Sequence, residues 1–307
     1  MADVRTIALT RSAVLAALVL ALACGGGRTR LVVRTDFPKE LRDAAESTFE
    51  EQYPDVDVRF SVADDSTSFR EVMNEGESVP FDVWWGASAF ALDQAARSGR
   101  LGGWMPLRAT PLVIAFDRNA VTIAQAPRDW LDLLHHRWAD EVVVPDPVQS
   151  EVGGLLVGAI VADRTRTEGE SWIGFEWLER LDDQVVAYAR DEEEALRSLR
   201  LGNASVAVVR LATVEEARGE NETLYYREAE SGGPVQVAGA GTVGTSNVSE
   251  LAERFVEHLS RVGRSAEFWP AGWSPVKDAD LVDLEMVVDS FPLWLDRWSA
   301  DVRGRGK

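Results

Sequence analysis

The chain is poor in the residues that make disulfides and metal cages: 307 residues include one cysteine and three histidines. One thiol cannot close an internal disulfide, and Cys₄ or Cys₂His₂ zinc sites are excluded by count. Basic clusters are missing too. Asp and Glu number 51 against 32 Lys and Arg, a net charge of -19, and no run of five basic residues offers a local exception. Such a surface repels phosphate backbones, so nucleic acid is excluded as a partner. No apolar run reaches the roughly 20 residues that a membrane-spanning helix needs. There is no Gly-x-Ser-x-Gly elbow for a nucleophilic serine, and no internal repeat at a fixed period.

What is present is enough apolar material for a large core, 46% of the chain. Single cores stop growing near roughly 250–300 residues, so two lobes are expected rather than one body. At the N-terminus, Arg5 and Arg11 make a positive region ahead of the eleven-residue apolar stretch Ala13 to Ala23, which suits a secretory leader. The run Leu20-Ala21-Leu22-Ala23-Cys24 resembles a bacterial lipoprotein signal, in which the thiol is acylated and the chain is cut before it. That resemblance implies a signal peptide over 1–23 and lipidation at Cys24. Residues 24–30 then form a flexible tether through Gly25-Gly26-Gly27, and the protein sits in the cell envelope, facing the periplasm or exterior.

Beyond the tether, strand and helix patterns alternate. Leu31 to Thr35, Val56 to Val62 and Phe81 to Trp85 read as strands, and Lys39 to Gln52 and Ala89 to Ser98 as helices. Thr110 to Phe116 reads as a strand and Pro127 to Leu134 as a short helix. A second set follows: strands at Glu141 to Val144, Val185 to Ala189 and Ser205 to Val209, with helices at Ser150 to Ala162, Trp172 to Arg180, Glu192 to Leu201 and Val214 to Arg218. Leu224 to Arg227 and Val235 to Val243 are β-like. The chain then turns helical at Val248 to Val262, Ala266 to Trp269 and Phe291 to Val302. This alternation calls for an α/β fold with mainly parallel sheets covered by helices.

Several segments, taken in order, carry a family resemblance: Thr35-Asp36-Phe37-Pro38, Phe81 to Ser88, Trp130 to Leu134 with Arg137-Trp138, Val144-Pro145-Asp146-Pro147 followed by Ser150 and Gly153, Gly202 to Val208, and Asn247 with the helix carrying Ala252, Phe255 and Leu259. Together they resemble the extracellular solute-binding proteins of ABC transporters, in the two-lobed class that includes ferric-iron, phosphonate, thiamine and polyamine binders. The resemblance implies a periplasmic-binding-protein-like type II fold, with two lobes joined by crossover strands and a ligand in the cleft between them. Carried onto this chain, lobe one is 31–112 with 240–285, lobe two is 113–239, and the last helix, 286–307, could pack on either. It further implies a monomer that closes on a small-molecule or ion ligand and delivers it to permease and ATPase subunits, without catalysis and without a cofactor or resident metal. A lipid-anchored sensor or scaffold that kept the fold without transport is the alternative.

Ligands of open α/β sheets lie at the carboxyl ends of strands, near helix N-termini. That picks out Thr35, Asp36 and Phe37, then Asp65 of the pair Asp64-Asp65, then Trp85, Gly86, Ala87 and Ser88, and in lobe two Ser150 and Glu151. Gly86 permits close backbone approach and Ser88 offers a hydroxyl at a helix start, which suits a carboxylate or phosphate, although an N-cap role explains Ser88 equally well. Glu151, standing where the resembling family has a small residue, disfavours a strong anion and favours a cation or amine, or else simply meets the helix dipole. Asp36 and Asp65 suit hard cations or amines, or turn and cap duty. Arg210 ends a strand and could clamp an anion or pair with an internal acid.

A ferric-iron binder is a further alternative that the resemblance implies, because ferric-iron members of that class commonly use adjacent tyrosines and Tyr225-Tyr226 are adjacent here. Neighbours in a strand point to opposite faces, however, so those rings are not expected to converge on one ion. The same rule sends Trp84 and Trp85 to opposite sides of their strand, and His258, inside a helix, reads as packing. Trp269, Trp273, Trp294 and Trp298 read as core or interlobe packing. Gly239-Ala240-Gly241-Thr242-Val243-Gly244 has the letters of a dinucleotide fingerprint but lacks the βαβ unit that would follow, and a flexible return crossover explains it better.

Overall fold

The computed structural model describes residues 27–74, 78–219 and 222–303. The expected leader, Cys24 and its lipid lie outside them. The elements in chain order are β1 (Thr29–Thr35), α1 (Lys39–Gln52), β2 (Val56–Val62), α2 (Asp65–Met73), β3 (Val83–Ser88), α3 (Ala89–Arg97), β4 (Leu101–Asp117), β5 (Val142–Pro145), α4 (Glu151–Glu168) and α5 (Ser171–Asp182). They continue with β6 (Val185–Ala189), α6 (Glu192–Arg200), β7 (Val206–Arg210), α7 (Leu211–Arg218), β8 (Leu224–Arg227), β9 (Val235–Val243), α8 (Ser249–Val262) and α9 (Leu284–Arg297).

The strands run in the order β2-β1-β3-β9-β4-β7-β5-β6, with β8 beside β4. In lobe one β2, β1 and β3 are parallel, and β9 and β4 follow antiparallel. In lobe two β6, β5 and β7 are parallel, with β4 antiparallel to β7. This is the expected α/β, two-lobed arrangement. β5, read Val142-Val143-Val144-Pro145, is buried throughout, as a strand covered on both faces must be.

Each lobe packs two cores, one per sheet face. In lobe one, Leu41, Ala45 and Phe49 recur every fourth residue along α1 and pack with Trp85 and with Phe255 of α8. On the opposite face Trp84 packs with Leu92 of α3 and Leu101. In lobe two, α4 and α5 cover one face through Leu156, Val157, Phe175 and Leu178, and α6 covers the other through Ala195, Leu196 and Leu199. Adjacent tryptophans on opposite faces are what a period of two requires.

Four features differ from the sequence expectation. First, β4 begins at Leu101, not Thr110, and runs 17 residues through both lobes. Gly102, Gly103 and Pro106 hide its first half, which is accommodated by register shifts at Leu101/Gly103 and Pro106/Arg108. Second, residues 235–239, which the family resemblance places in lobe two, pair along β4 as far as Pro111↔Val235. Third, Gly239 and Gly241, read as a flexible part of the return crossover, are tightly packed inside β9, where a Cβ would press on β4 and Leu92. Fourth, the last helix starts at Leu284 rather than Phe291, contains Pro292, and continues as a π-turn over Trp298–Val302.

That C-terminal segment serves both lobes. Ser274 forms a two-way backbone bridge with Ala109 beside the crossover. From α9, Asp289 pairs with Arg97 of α3 at 2.8 Å. Phe291 stacks edge-on against Phe90 with ring centroids 5.2 Å apart and also fits against Gly154 and Gly158 of α4. Trp294, Trp298 and Val302 then complete the lobe-two core, and Arg303 reaches the fully buried Asp146 at 2.7 Å. Among the described residues no helix is long and apolar enough to cross a membrane.

Candidate functional site

The carboxyl end of β3, the loop between β5 and α4 and the start of β9 border a cavity of about 800 Å³. From lobe one it is lined by Ser66 and Phe69 of α2 and by Ser88 and Phe90 at the start of α3; from lobe two by Gln149, Ser150 and Glu151. Gln236 of β9 and Phe291 of α9 also face it. Its volume lies within the range of small-molecule sites.

Three of the sequence-predicted residues, Ser88, Ser150 and Glu151, thus meet at one cavity. Ser88 caps α3: its Oγ accepts from the backbone N–H of Ala91 at 3.2 Å. Ser150 holds the corresponding position on α4 with no side-chain cap bond. The loop before α4 sits close because Gly153 packs against the backbone of Pro145, Asp146 and Pro147, where a side chain has no room. Gly86 has φ +102°, a conformation that side chains resist, and a Cβ there would lie 2.9 Å from the Phe37 ring and 3.3 Å from Asp36 Oδ1. The glycine is therefore the condition for Asp36 to sit beside the strand tip.

Other predicted residues lie below the site rather than in it. Phe37 and Trp85 are buried, with ring centroids 5.1 Å apart, and Trp269 packs on both. They form the aromatic floor of lobe one and do not line the cavity. Thr35 is buried, its Oγ1 accepting from the N–H of Phe37 at 3.1 Å, and Ala87 is wholly buried. Asp65 opens α2, but the capping residue is its neighbour: Asp64 Oδ1 accepts from Thr67 N at 2.8 Å and from Ser66 Oγ at 2.7 Å. Those bonds, Ser66 first, hold the Asp64 carboxyl down at about 2.

Arg210 has an internal partner. Its backbone N–H donates to Glu192 Oε1 at 2.6 Å, and its Nε and Nη2 donate to Glu192 Oε2 at 2.7 and 2.5 Å. Nη1 donates to Gln236 Oε1 at 2.9 Å, and Gln236 Nε2 donates to Glu151 Oε2 at 3.0 Å. Burial alone would lower the Arg210 pKa, but the Glu192 carboxylate, with Glu151 and Asp36 behind it, outweighs burial and raises it. Asp36, on lobe one, touches solvent but is crowded by protein. Desolvation raises its carboxyl, the Arg210 charge pulls it back, and Asp64 pushes it up again. An electrostatic link thus runs from lobe one to lobe two.

Gln236 and Glu192 were not singled out by the sequence, though a lone glutamine in Val235-Gln236-Val237-Ala238-Gly239-Ala240 was a signal, since a polar residue in a buried strand needs partners. Tyr225 packs with one lobe-two core and Tyr226 with the other, so the two phenols do not converge. His258 is buried in helix packing, its Nε2 2.9 Å from Thr48 Oγ1.

Residues 30–265 match the family described as bacterial extracellular solute-binding protein. A probable ABC transporter periplasmic-binding protein, y4fP, of Sinorhizobium fredii is 23% identical over 209 residues, 68% of this chain and 56% of that protein; the chain spans little more than half of that relative's length. Among solved structures, the periplasmic binding protein AfuA of Actinobacillus pleuropneumoniae, with exogenous fructose-6-phosphate bound, superimposes with a TM-score of 0.72 at 16% identity, covering 90% of this chain and 99% of that one. The ferric binding protein of Campylobacter jejuni gives 0.71 at 13% identity, covering 88% and 98%. At these identities the likeness speaks for the fold.

Proposed function

This chain belongs to the family of bacterial extracellular solute-binding proteins, and we propose that it captures a small polar solute between its lobes and hands it to the permease of an ABC importer. The observation that carries this reading is the cavity itself, walled by helix starts of both lobes and by Gln236 between them. Family membership makes the protein extracytoplasmic. The leader-like N-terminus supports a lipid tether through Cys24, with the folded part acting as a monomer and as a binder rather than an enzyme.

Closure would pivot where the crossover strands pass between the lobes. There β4 carries Pro111, opposite Val235, and β9 is preceded by Pro234. Neither proline has an N–H to give to the ladder, and the bond from Leu112 N to Pro234 O, 2.8 Å, bridges the strands at this point. A sheet thinned of hydrogen bonds in this way can bend with little loss, as a hinge must. The network through Gln236 would let the hinge respond to what lies against Glu151.

Small-angle scattering of the full chain with and without a stabilising solute tests this reading. The expected result is a smaller radius of gyration with every solute that raises the melting temperature; stabilisation without compaction would overturn hinge closure. Turnover of the solute would instead mark an enzyme. A neighbouring permease and ATPase gene pair favours transport over a sensor that kept the fold.

A further inference from the structure

We infer that the solute taken by this cleft is an organic ammonium ion with an apolar body, and that Glu151 selects its charge. The inference rests on the reading that the cleft binds a solute, and it concerns a juxtaposition: the guanidinium nearest the cleft is held by acids, while a braced carboxylate lines the cavity.

An anion would need a positive partner. Two arginines line the cavity and one stands beside it, and each is committed. Arg164 pairs with Glu168 at 2.9 Å. Arg166 pairs with Asp163 at 2.6 Å and Asp283 at 3.1 Å. Arg210 pairs with Glu192 at 2.5 Å. Taking Arg210 away would leave the buried Glu192 carboxylate without its cation, a penalty that an incoming anion has to repay before it gains anything.

Helix starts are the other usual seat for an anion, and those at the cavity are answered: α2 is capped by Asp64 and α9 is preceded by Asp283, both carboxylates of the protein. The Ser88 hydroxyl already serves α3. At α4 the first residue is Glu151 itself, so the partial positive charge of that terminus meets a carboxylate of the protein and an anion would meet like charge. Glu192 holds the Arg210 guanidinium directly, and Glu151 and Asp36 act on the same charge.

Glu151 is also held still. Gln236 gives its amide N–H to Oε2 of Glu151 while its own oxygen is fixed by Arg210. Both ends of the amide are thus assigned by charged groups, which orients the carboxylate before any ligand arrives, and a preorganised charge discriminates without an ordering cost.

The walls specify the rest of the ligand. Phe69, Phe90, Val148, Leu155 and Phe291 line the same cavity. A polyol against these side chains would lose hydrogen bonds to water without replacing them. A bare metal ion finds no cage, for no group of three or more His, Cys, Asp or Glu side chains suited to one occurs among the described residues. An ammonium group on an apolar or aromatic body satisfies both features, since aromatic faces also attract cations.

The test is a matched series titrated calorimetrically and by thermal melting into the full chain. The series comprises 2-phenylethylamine and spermidine as cations, 2-phenylethanol as the neutral counterpart of the first, and fructose 6-phosphate and ferric citrate as anions. The expected result is binding of the amines, at least about tenfold weaker binding of 2-phenylethanol, and a loss of about tenfold or more in amine affinity for Glu151→Gln. Glu151 is exposed at the first position of a helix, so an unchanged circular dichroism spectrum will show that the variant folds, and Glu151→Asp should recover part of the affinity. Binding of an anion or of 2-phenylethanol in preference to the amines, or amine binding indifferent to Glu151→Gln, overturns the charge assignment and leaves solute binding standing. Failure of the whole series overturns the assignment, and the scattering experiment then decides separately on solute binding and closure.

Discussion

Gln236 Oε1 accepts a hydrogen bond from Arg210 Nη1 at 2.9 Å, joining a crossover strand to a strand tip of lobe two. Gln236 is buried and its amide nitrogen also serves Glu151. Replacing it by leucine keeps the volume and deletes both bonds. We expect Gln236→Leu to lower stability by about 1–3 kcal/mol, because buried partners of charged groups lose their bonds, and to widen the range of lobe angles in scattering. An unchanged melting curve would mean that the network is idle in the unliganded protein.

The Asp64 cap has a pH signature. Its folded pKa, about 2, lies below the ordinary 3.8, so its stabilisation is present above the unfolded value and is lost as pH falls through the folded one. Asp64→Ala should cost about 1 kcal/mol at neutral pH, the usual worth of an N-cap, with the gap to the parent closing as pH approaches 2. A gap that is constant from pH 7 downward would show that the carboxylate's charge is irrelevant to the cap.

His258 titrates in the same sense at higher pH. Burial first, then Arg261, lowers its imidazole pKa, so the folded state resists protonation, and stability drops as pH falls below the ordinary imidazole value of 6.5. His258→Gln should flatten stability between roughly pH 7 and 5. Denaturant melts across that window check it, and an equal slope in the variant would assign the drop to other groups.

Gly153→Ala places a methyl group against the backbone of Pro145, Asp146 and Pro147. Because the obstacle is main chain, it cannot step aside as a flexible side chain would. A loss of about 1–3 kcal/mol is expected, along with weaker binding of any cleft ligand, since residues 149–151 must shift. Full stability and full affinity together would mean that the loop relaxes freely.

Phe291→Ala removes the ring that touches Phe90 of lobe one and the glycine face of α4 in lobe two. It is partly exposed, so a loss of about 1–3 kcal/mol is the expectation. The sharper readout is the radius of gyration without ligand, which should rise as the lobes lose a common contact. If only stability changes, the ring packs without restraining the lobes.

Much of the architecture was legible because parallel strands covered on both faces announce themselves as short apolar runs, as at Val142 to Val144, and because amphipathic stripes such as Leu41, Ala45 and Phe49 have one reading. The tryptophan pair at 84 and 85 was placed on opposite faces by period alone. What escaped was nonlocal. The first half of β4 carries Gly102, Gly103 and Pro106, which locally spell turn but are absorbed by register shifts against β9. The start of α9 was hidden by Pro292. In the site, local pattern located Ser88, Ser150 and Glu151 but could not tell that Phe37 and Trp85 turn into an aromatic floor. Arg210 had two readings from sequence, and only the fold brings Glu192, 18 residues earlier, under it.

The position of β9 in the sheet has a consequence for biosynthesis. Although it is the last strand in the chain, it lies between β3 and β4, so the lobe-one sheet has a missing plank until residue 243 has been made. Lobe two waits longer still, because Trp294, Trp298 and Val302 seal its core. A nascent chain that lacks a lobe-one plank until residue 243 and cannot close lobe two before its final residues emerge stays pliant during much of translation, which is the condition a secretion channel requires of its cargo.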